Sequence, residues 1–301
     1  MNSITGKQFC AMVFIGDVFA LLCLAGDIGA VTAAGFAAGS AVQMIAVLPF
    51  ALLYRRGGKP EKAAETVLLF GIIIWGGALL TMQWKTSGVV NIPFESSGGL
   101  GAKLTVSGLI ALVCLYISSA GAKALGRASV IAAAVGVLCL AVVAVSALSA
   151  HDWEKLSASG GGLTFGGEFI RGLRASGGIG GDIVMLGLNR GSFVRNTAVC
   201  FAVKGTACAV LILTAVLVTG DIMAIADFPL VTAAHLSQPI PSQRIDSLFL
   251  IVFAVYGVFA IAVQSAAAAH LAGELLPAFR RFRCLTVLVL MTGAAFLLSL
   301  W

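Results

Sequence analysis

Residues 177–182 read Gly-Gly-Ile-Gly-Gly-Asp and place an acidic side chain directly after a glycine run in an otherwise apolar segment. A second pair, Gly16-Asp17, lies inside the first apolar run of the chain. A carboxylate at bilayer depth costs about 3 kcal/mol on insertion scales, so it is normally kept where it faces a cavity, a partner or a ligand. Glycine allows a helix to break there and to turn backbone N–H and C=O groups toward a small molecule.

The composition around these pairs is that of an integral membrane protein. Of the 301 residues, 59% are hydrophobic and only 11% are charged, whereas soluble domains carry about 25% charged residues. Apolar runs of about 18 to 25 residues recur along the chain, which is the length that spans a bilayer core of about 30 Å as a helix. We therefore expect an all-α protein whose main surroundings are the lipid bilayer.

The apolar runs divide the chain into ten candidate membrane elements. Eight are clear spans bounded by Gly, Pro or charged residues, and they cover residues 8–26, 30–54, 64–84, 102–120, 127–148, 197–219, 245–272 and 284–301. Two are weaker, because 166–191 is interrupted by the glycine run and 222–238 is short and polar in places.

Basic residues in the connecting loops predict the orientation. One side of the membrane receives most of them: Arg55, Arg56, Lys59, Lys62, Lys123, Arg127, Arg190 and Arg195. The positive-inside rule makes that side cytoplasmic and places the N-terminus there. The loop with Arg280, Arg281 and Arg283 disagrees, since it falls outside if all ten elements cross. Either 222–238 is re-entrant and the last spans invert, or this loop is an exception; ten crossings are preferred, because Arg244 then lies inside.

Ten crossings would divide a single domain, residues 1–301, into two repeats at about 8–148 and 166–301. Five helices in each repeat is an odd number, so the second repeat would be inverted relative to the first. The expected fold is then a 5+5 inverted repeat in which helices one and six are broken at the Gly-Asp pairs. Gly-Asp also occurs at 26–27 and 220–221, so a chance placement of these pairs stays open.

Several classes of function find no support in the sequence. The seven cysteines show no CxxC or Cys/His spacing, which argues against a disulfide framework or a metal site. No basic stripe with interleaved aromatic residues indicates nucleic acid. Gly98-Gly99-Leu100-Gly101-Ala102-Lys103 lacks the Ser/Thr ending of a phosphate loop, and HExxH and GxSxG motifs are absent. We expect neither an enzyme nor a bound cofactor.

Four short motifs spread along the chain resemble those of one known family. They are Ile4-Thr5-Gly6-Lys7-Gln8, Phe169-Ile170-Arg171-Gly172-Leu173 followed by Gly180-Gly181-Asp182, Phe228-Pro229 with His235-Leu236, and Arg244-Ile245-Asp246. In that order they resemble the Ile-Ser-x-x-Gln, the Ile-Leu-Lys-Gly before a Gly-Glu-initiated sixth helix, the Phe-Pro-Thr-Leu ending in Arg-Leu and the Arg-x-Asp of the GerAB-type spore germination permeases. The chain departs from that pattern in its shorter length, in Asp182 for Glu and in His235 for Arg.

The resemblance implies a ten-helix, broken-helix fold of the amino acid, polyamine and organocation transporter superfamily. It also implies a B-type germinant receptor subunit in the inner (cytoplasmic) membrane of a spore-forming bacterium. Such a subunit binds an amino acid or a similar small nutrient and signals to the other receptor subunits. The alternative is a proton- or sodium-coupled amino acid transporter.

The expected ligand-binding residues are Gly16, Asp17, Gly180, Gly181 and Asp182. An acid in the first run suits a substrate ammonium, while the free N–H groups of a half-helix attract a carboxylate, so the pair fits a zwitterion. The alternative for Asp17 is a structural ion pair or a protonated, hydrogen-bonded carboxyl group, and the alternative for Asp182 is a helix cap.

Five further polar residues have simpler expectations. Lys204 is expected to extend its side chain to the membrane surface, with a counter-ion role as the alternative. Glu168, Arg171 and Arg174 are spaced for one face of an interfacial helix and are expected to form a solvated lip. His235 is expected to be a packing residue, with a proton relay as the alternative.

Overall fold

A computed structural model of the chain describes residues 3–26, 28–89, 100–146, 164–178, 180–190, 192–220, 226, 228–236, 246–276 and 282–299. The described residues form the helices α1 Gly6–Leu22, α2 Ala30–Arg55, α3 Lys62–Val89, α4 Leu100–Ser119, α5 Ala122–Ser146, α6 Phe165–Ala175, α7 Gly180–Gly187, α8 Phe193–Thr219, α9 Pro229–Leu236, α10 Asp246–Leu275 and α11 Arg283–Ser299. Two short strands, β1 Ile4–Thr5 and β2 Asn189–Arg190, pair in parallel.

The helices confirm the expected class of an all-α membrane protein. In the described part of the chain, five helices are long and apolar enough to cross a bilayer: Ala30–Arg55, Lys62–Thr86, Ala122–Ser146, Phe193–Thr219 and Leu248–Leu275. Many of their large apolar side chains are exposed on the outside of the bundle, as a lipid solvent requires.

One end of the bundle gathers the basic residues, and we call it the basic face. Ile4 of β1 is in register with Asn189 of β2, so the start of α1 lies beside the end of α7. Lys59, just after α2, forms an ion pair of 3.2 Å with Glu274 at the end of α10. The basic face carries Arg55, Arg56, Lys59, Lys62, Lys123, Arg127, Arg195 and Arg283. The positive-inside rule predicts that this face is cytoplasmic.

The preferred topology of ten crossings is wrong for the last third of the chain. Helix α8 begins at the basic face, and the 30-residue α10 ends there beside Lys59, so α10 begins at the opposite end of the bundle. The chain between α8 and α10 therefore makes no net crossing, and α9, with eight residues, is only about 12 Å long. The alternative with inverted last spans holds. It places Arg283 with the other basic residues, as the charge rule favours, while Arg244, Arg280 and Arg281 lie outside the described residues.

The two expected helix breaks have different outcomes. The segment 166–191 is divided into α6 and α7 around residues 176–179, as the glycine run predicts. Helix α1 runs without interruption through Gly16 and Asp17, so the expected break in the first helix is wrong. Gly16 is not among the described glycines with positive φ, and a Cβ added there would meet nothing within 4 Å. Glycine is therefore not needed at this position to bend the backbone.

Close contact between α2 and α6 fixes the position of the break. A Cβ on Gly35 of α2 would overlap the carbonyl oxygen of Phe169, and a Cβ on Gly172 of α6 would overlap that of Thr32. Small residues on both helices let the two backbones touch, which is the usual way that membrane helices gain dispersion energy without a hydrophobic driving force. Helix α6 is thus held against the first two turns of α2.

Candidate functional site

The break between α6 and α7 is built on a glycine that no other residue replaces easily. Gly177 has φ +100°, in the left-handed region that L side chains rarely adopt. A Cβ on Gly177 would also overlap Oδ1 of Asp17, which lies directly against this backbone. Both the turn itself and the approach of α1 therefore depend on this residue. On the other side of the break, Gly178 faces the indole of Trp75 on α3.

A buried ion pair occupies the centre of this region. Nζ of Lys204 on α8 lies 2.7 Å from Oδ2 of Asp17 on α1, and the two residues are 0% and 4% exposed. The ammonium also donates to the backbone oxygen of Ser176 at 3.1 Å and to the side-chain oxygen of Gln43. An ammonium group has three N–H donors, so these three acceptors use its full capacity. The ring of Phe201 lies beneath the ammonium, with the ring centroid 4.6 Å from Nζ.

The same side chains satisfy the carbonyl groups that the end of α6 leaves free. The last carbonyls of a helix lack partners within the helix and need donors from elsewhere. Here the Ser176 carbonyl accepts from Lys204, and the Gly177 carbonyl accepts from Nε2 of Gln43 at 2.6 Å. The break is therefore tied at one point to α1, α2 and α8.

Asp182 lies on the other side of the break, in the first turn of α7, and is 5% exposed. It is close enough to Asp17 and Lys204 to interact electrostatically with both. Its Oδ2 atom is buried and has no hydrogen-bond partner among the described residues. The position fits the helix-cap alternative, whereas this free oxygen leaves capacity for a ligand.

Gln264 of α10 adds an unsatisfied polar atom near the start of α7, and Ser265 follows it in the helix. Gln264 packs so closely against Gly181 that a Cβ there would overlap its Oε1 atom. Within the described part of the chain, that Oε1 atom and the hydroxyl of the neighbouring Ser265 have no hydrogen-bond partner. Buried polar atoms are normally hydrogen-bonded, so a group of unsatisfied ones marks a place where a small polar molecule or water would bind.

The charges of this site do not balance without a further positive group. Asp17 and Asp182 are two buried carboxyl groups, whereas the described residues near them supply one buried ammonium, that of Lys204. An isolated buried charge is costly unless it is paired or neutralised. The second carboxyl group is therefore stable in this site when it binds a proton or a small cation.

Of the expected site residues, the structure brings Asp17, Gly181 and Asp182 together around the break. Gly180 also lies at the start of α7, against Ile72 of α3, while Gly16 contributes no turn. The expectation for Lys204 is wrong, because its side chain reaches inward to Asp17 and is fully buried. The sequence feature that could have predicted this ion pair is an acid inside one span, Asp17, together with a base well inside another, Lys204.

The expectation of a solvated lip holds only in part. Glu168 is buried at 4% exposure, because α6 presses that face against α2. Arg171 is half-buried beside Gly26, and Arg174 is exposed. The side chain of His235 and the whole of Arg244 lie outside the described residues, so the packing role expected for His235 and the cytoplasmic position expected for Arg244 stay predictions.

Comparison with protein-family models and with curated proteins finds no match to this chain.

Proposed function

We propose that the chain is a B-type subunit of a spore germinant receptor. It binds an amino acid or a similar small nutrient at the break between α6 and α7 and signals to partner subunits in the cytoplasmic membrane, with its N-terminus on the cytoplasmic side. The four sequence motifs supply the family hypothesis. An inverted relation between the two halves is part of the proposal, and it is supported by α1 leaving the basic face and the α6–α7 pair returning to it.

The observation that carries this proposal is the Lys204 ammonium, which links Asp17 to the end of α6. It occupies the position in which the sequence suggests a substrate ammonium. A zwitterion that binds here replaces Lys204 at Asp17 with its own ammonium group and offers its carboxylate to Lys204 or to the free N–H groups of α7. Lys204 then releases the Ser176 carbonyl, and the end of α6 is free to move relative to α8. That movement is the signal passed to partner subunits.

A binding screen on the purified chain tests the proposal. Amino acids, sugars and purines are added to the detergent-solubilised protein, and the shift in thermal unfolding is measured, since a ligand that binds only the folded state raises its stability. We expect a small nutrient to stabilise the wild type more than it stabilises the charge-balanced double variant Asp17→Asn/Lys204→Met. The exposed Lys62→Met serves as the control. A nutrient that stabilises the double variant as well as the wild type would remove this pair from the binding site.

A second candidate function is a proton- or sodium-coupled amino acid transporter. The unbalanced pair of carboxyl groups at Asp17 and Asp182 favours it, because coupling requires a site that gains and loses a cation. Uptake of a labelled amino acid by liposomes that contain this chain alone, driven by a pH or sodium gradient, would establish transport and contradict a pure sensor. Binding without uptake supports the receptor.

A further inference from the structure

A cavity of about 650 Å³ opens at the basic face. The ends of α2, α7 and α10 and the starts of α3 and α11 surround it. Its volume lies within the range of about 300–1,000 Å³ that is typical of small-molecule sites. Neither Asp17 nor Lys204 is among its described lining residues, so it is separate from the site at the helix break. Its polar lining side chains include Lys59, Glu65, Asn189, Glu274 and Arg283.

Among the described residues that line this cavity, one acid and one base form no ion pair with each other or with another described residue. Lys59 and Glu274 neutralise each other in an ion pair of 3.2 Å near the rim. Glu65, in the first turn of α3, is 8% exposed, and Arg283 begins α11. Neither of these two forms an ion pair with any residue that the structure describes. A buried charge is retained at lowest cost when a partner or a ligand of opposite charge faces it.

Asn189 provides a third, neutral group that is open to a ligand. It lines the cavity and is 4% exposed, yet neither Oδ1 nor Nδ2 has a hydrogen-bond partner among the described residues. Its backbone is fixed by the pairing of β2 with β1, in register with Ile4. The side chain therefore presents one acceptor and two donors from a fixed position, and buried amides of this kind are normally satisfied.

We propose that this cavity is a second binding site and that its ligand is a small zwitterion such as a free amino acid. The ligand's ammonium pairs with Glu65, its carboxylate pairs with Arg283, and the amide of Asn189 completes the hydrogen bonds of either end. A ligand with a single charge would leave either the buried Glu65 or the half-buried Arg283 without a partner. The site is built from different residues than the helix break and stands independently of the function proposed for that break.

A ligand series distinguishes a zwitterion from singly charged ligands. Each of the twenty amino acids is tested for binding to the purified full chain by calorimetry, beside its amide, which is only cationic, and its N-acetyl derivative, which is only anionic. We expect at least one free amino acid to bind and both derivatives to bind at least about tenfold more weakly, because each loses one charge pair. Binding of a singly charged derivative at full affinity would overturn the proposal, as would the failure of every amino acid to bind.

Variants identify the cavity as the place of binding. Glu65→Gln and Arg283→Gln are each expected to weaken binding at least about tenfold, and Arg283→Lys is expected to restore part of it. The exposed Glu61→Gln and Arg56→Gln, on the same face, are matched controls that keep wild-type affinity. Folded Glu65→Gln and Arg283→Gln proteins that both bind as the wild type does would refute the assignment.

Cys284 gives a readout that needs no variant at this site. Its half-buried thiol lines the cavity, whereas the half-buried Cys10 is not among the described lining residues. A bound amino acid is expected to slow alkylation of Cys284 by N-ethylmaleimide several-fold and to leave Cys10 unchanged. The same protection in Asp17→Asn/Lys204→Met separates this site from the helix break. Unchanged alkylation of Cys284 at a saturating amino acid concentration would refute the proposal.

Discussion

Replacement of Lys204 by Met is expected to destabilise the fold severely. The substitution removes the ammonium but leaves Asp17, which is 4% exposed, as a buried carboxylate without its counter-ion. Breaking a buried ion pair from one side costs about 3–5 kcal/mol. The Ser176 carbonyl and the Gln43 side-chain oxygen lose a donor as well. A total stability of about 5–15 kcal/mol for a folded domain makes this loss a large fraction of the whole.

The double variant decides whether that loss comes from the ion pair. Asp17→Asn alone is also expected to destabilise the fold, since the ammonium loses the carboxylate that lies 2.7 Å from it. Because the double variant buries no charge at this pair, we expect it to be more stable than the sum of the single losses predicts, by at least about 2 kcal/mol. Unfolding of all four proteins in detergent by SDS titration, followed by circular dichroism, measures this coupling energy.

Lys62→Met on α3 is the matched control, because Lys62 is exposed at the basic face. Its stability is expected to stay within about 0.5 kcal/mol of the wild type. Additive losses in the cycle, or a Lys204→Met protein as stable as this control, would refute the reasoning. Such a result would instead support a lysine that extends to the membrane surface.

Two further predictions concern the break and the topology. Gly177→Ala is expected to lower the free energy of unfolding by at least about 2 kcal/mol, because alanine is strained in the left-handed region and its Cβ would overlap Asp17. Gly166→Ala in α6 is the control, because a Cβ there meets open space, and it is expected to change the free energy of unfolding by less than about 1 kcal/mol in the same titration. Equal effects of the two alanines would show that the turn does not constrain residue 177. Lys59→Cys and Glu274→Cys are expected to react with a membrane-impermeant thiol reagent from the same side of the membrane, and when combined to be joined by a short bifunctional crosslinker. Labelling from opposite sides would restore the topology of ten crossings.

Local sequence patterns were sufficient for the features that depend on neighbouring residues. Runs of apolar residues predict the long helices, because burial in lipid depends on composition over about 20 residues. The glycine run predicts the break between α6 and α7, because Gly177 supplies a positive φ that few other residues adopt. The same reasoning fails at Gly16, since glycine permits a break without requiring one and α1 keeps its helical hydrogen bonds.

The features that depend on distant residues were not predicted. Asp17 and Lys204 are 187 positions apart, as the difference of their numbers shows, and the sequence alone does not indicate that α1 and α8 meet at that depth. A base in one span and an acid in another are compatible with a pair, with a ligand or with an extended lysine. The length of α9 was missed for a related reason, because an apolar stretch of moderate hydropathy does not reveal whether it crosses or turns back. The basic residues near Arg283 were the better guide.

The short strand pair has a mechanical consequence for the site. The backbone N–H of Ile4 donates to the carbonyl of Leu188 at 3.0 Å, so the start of α1 and the end of α7 share a fixed point at the basic face. The helices that carry Asp17 and Asp182 are thus connected to each other at this one end. If the two helices move relative to each other, their displacement is smallest at the strand pair and increases with distance from it. The first few residues of the chain therefore help to set the separation of the two carboxyl groups.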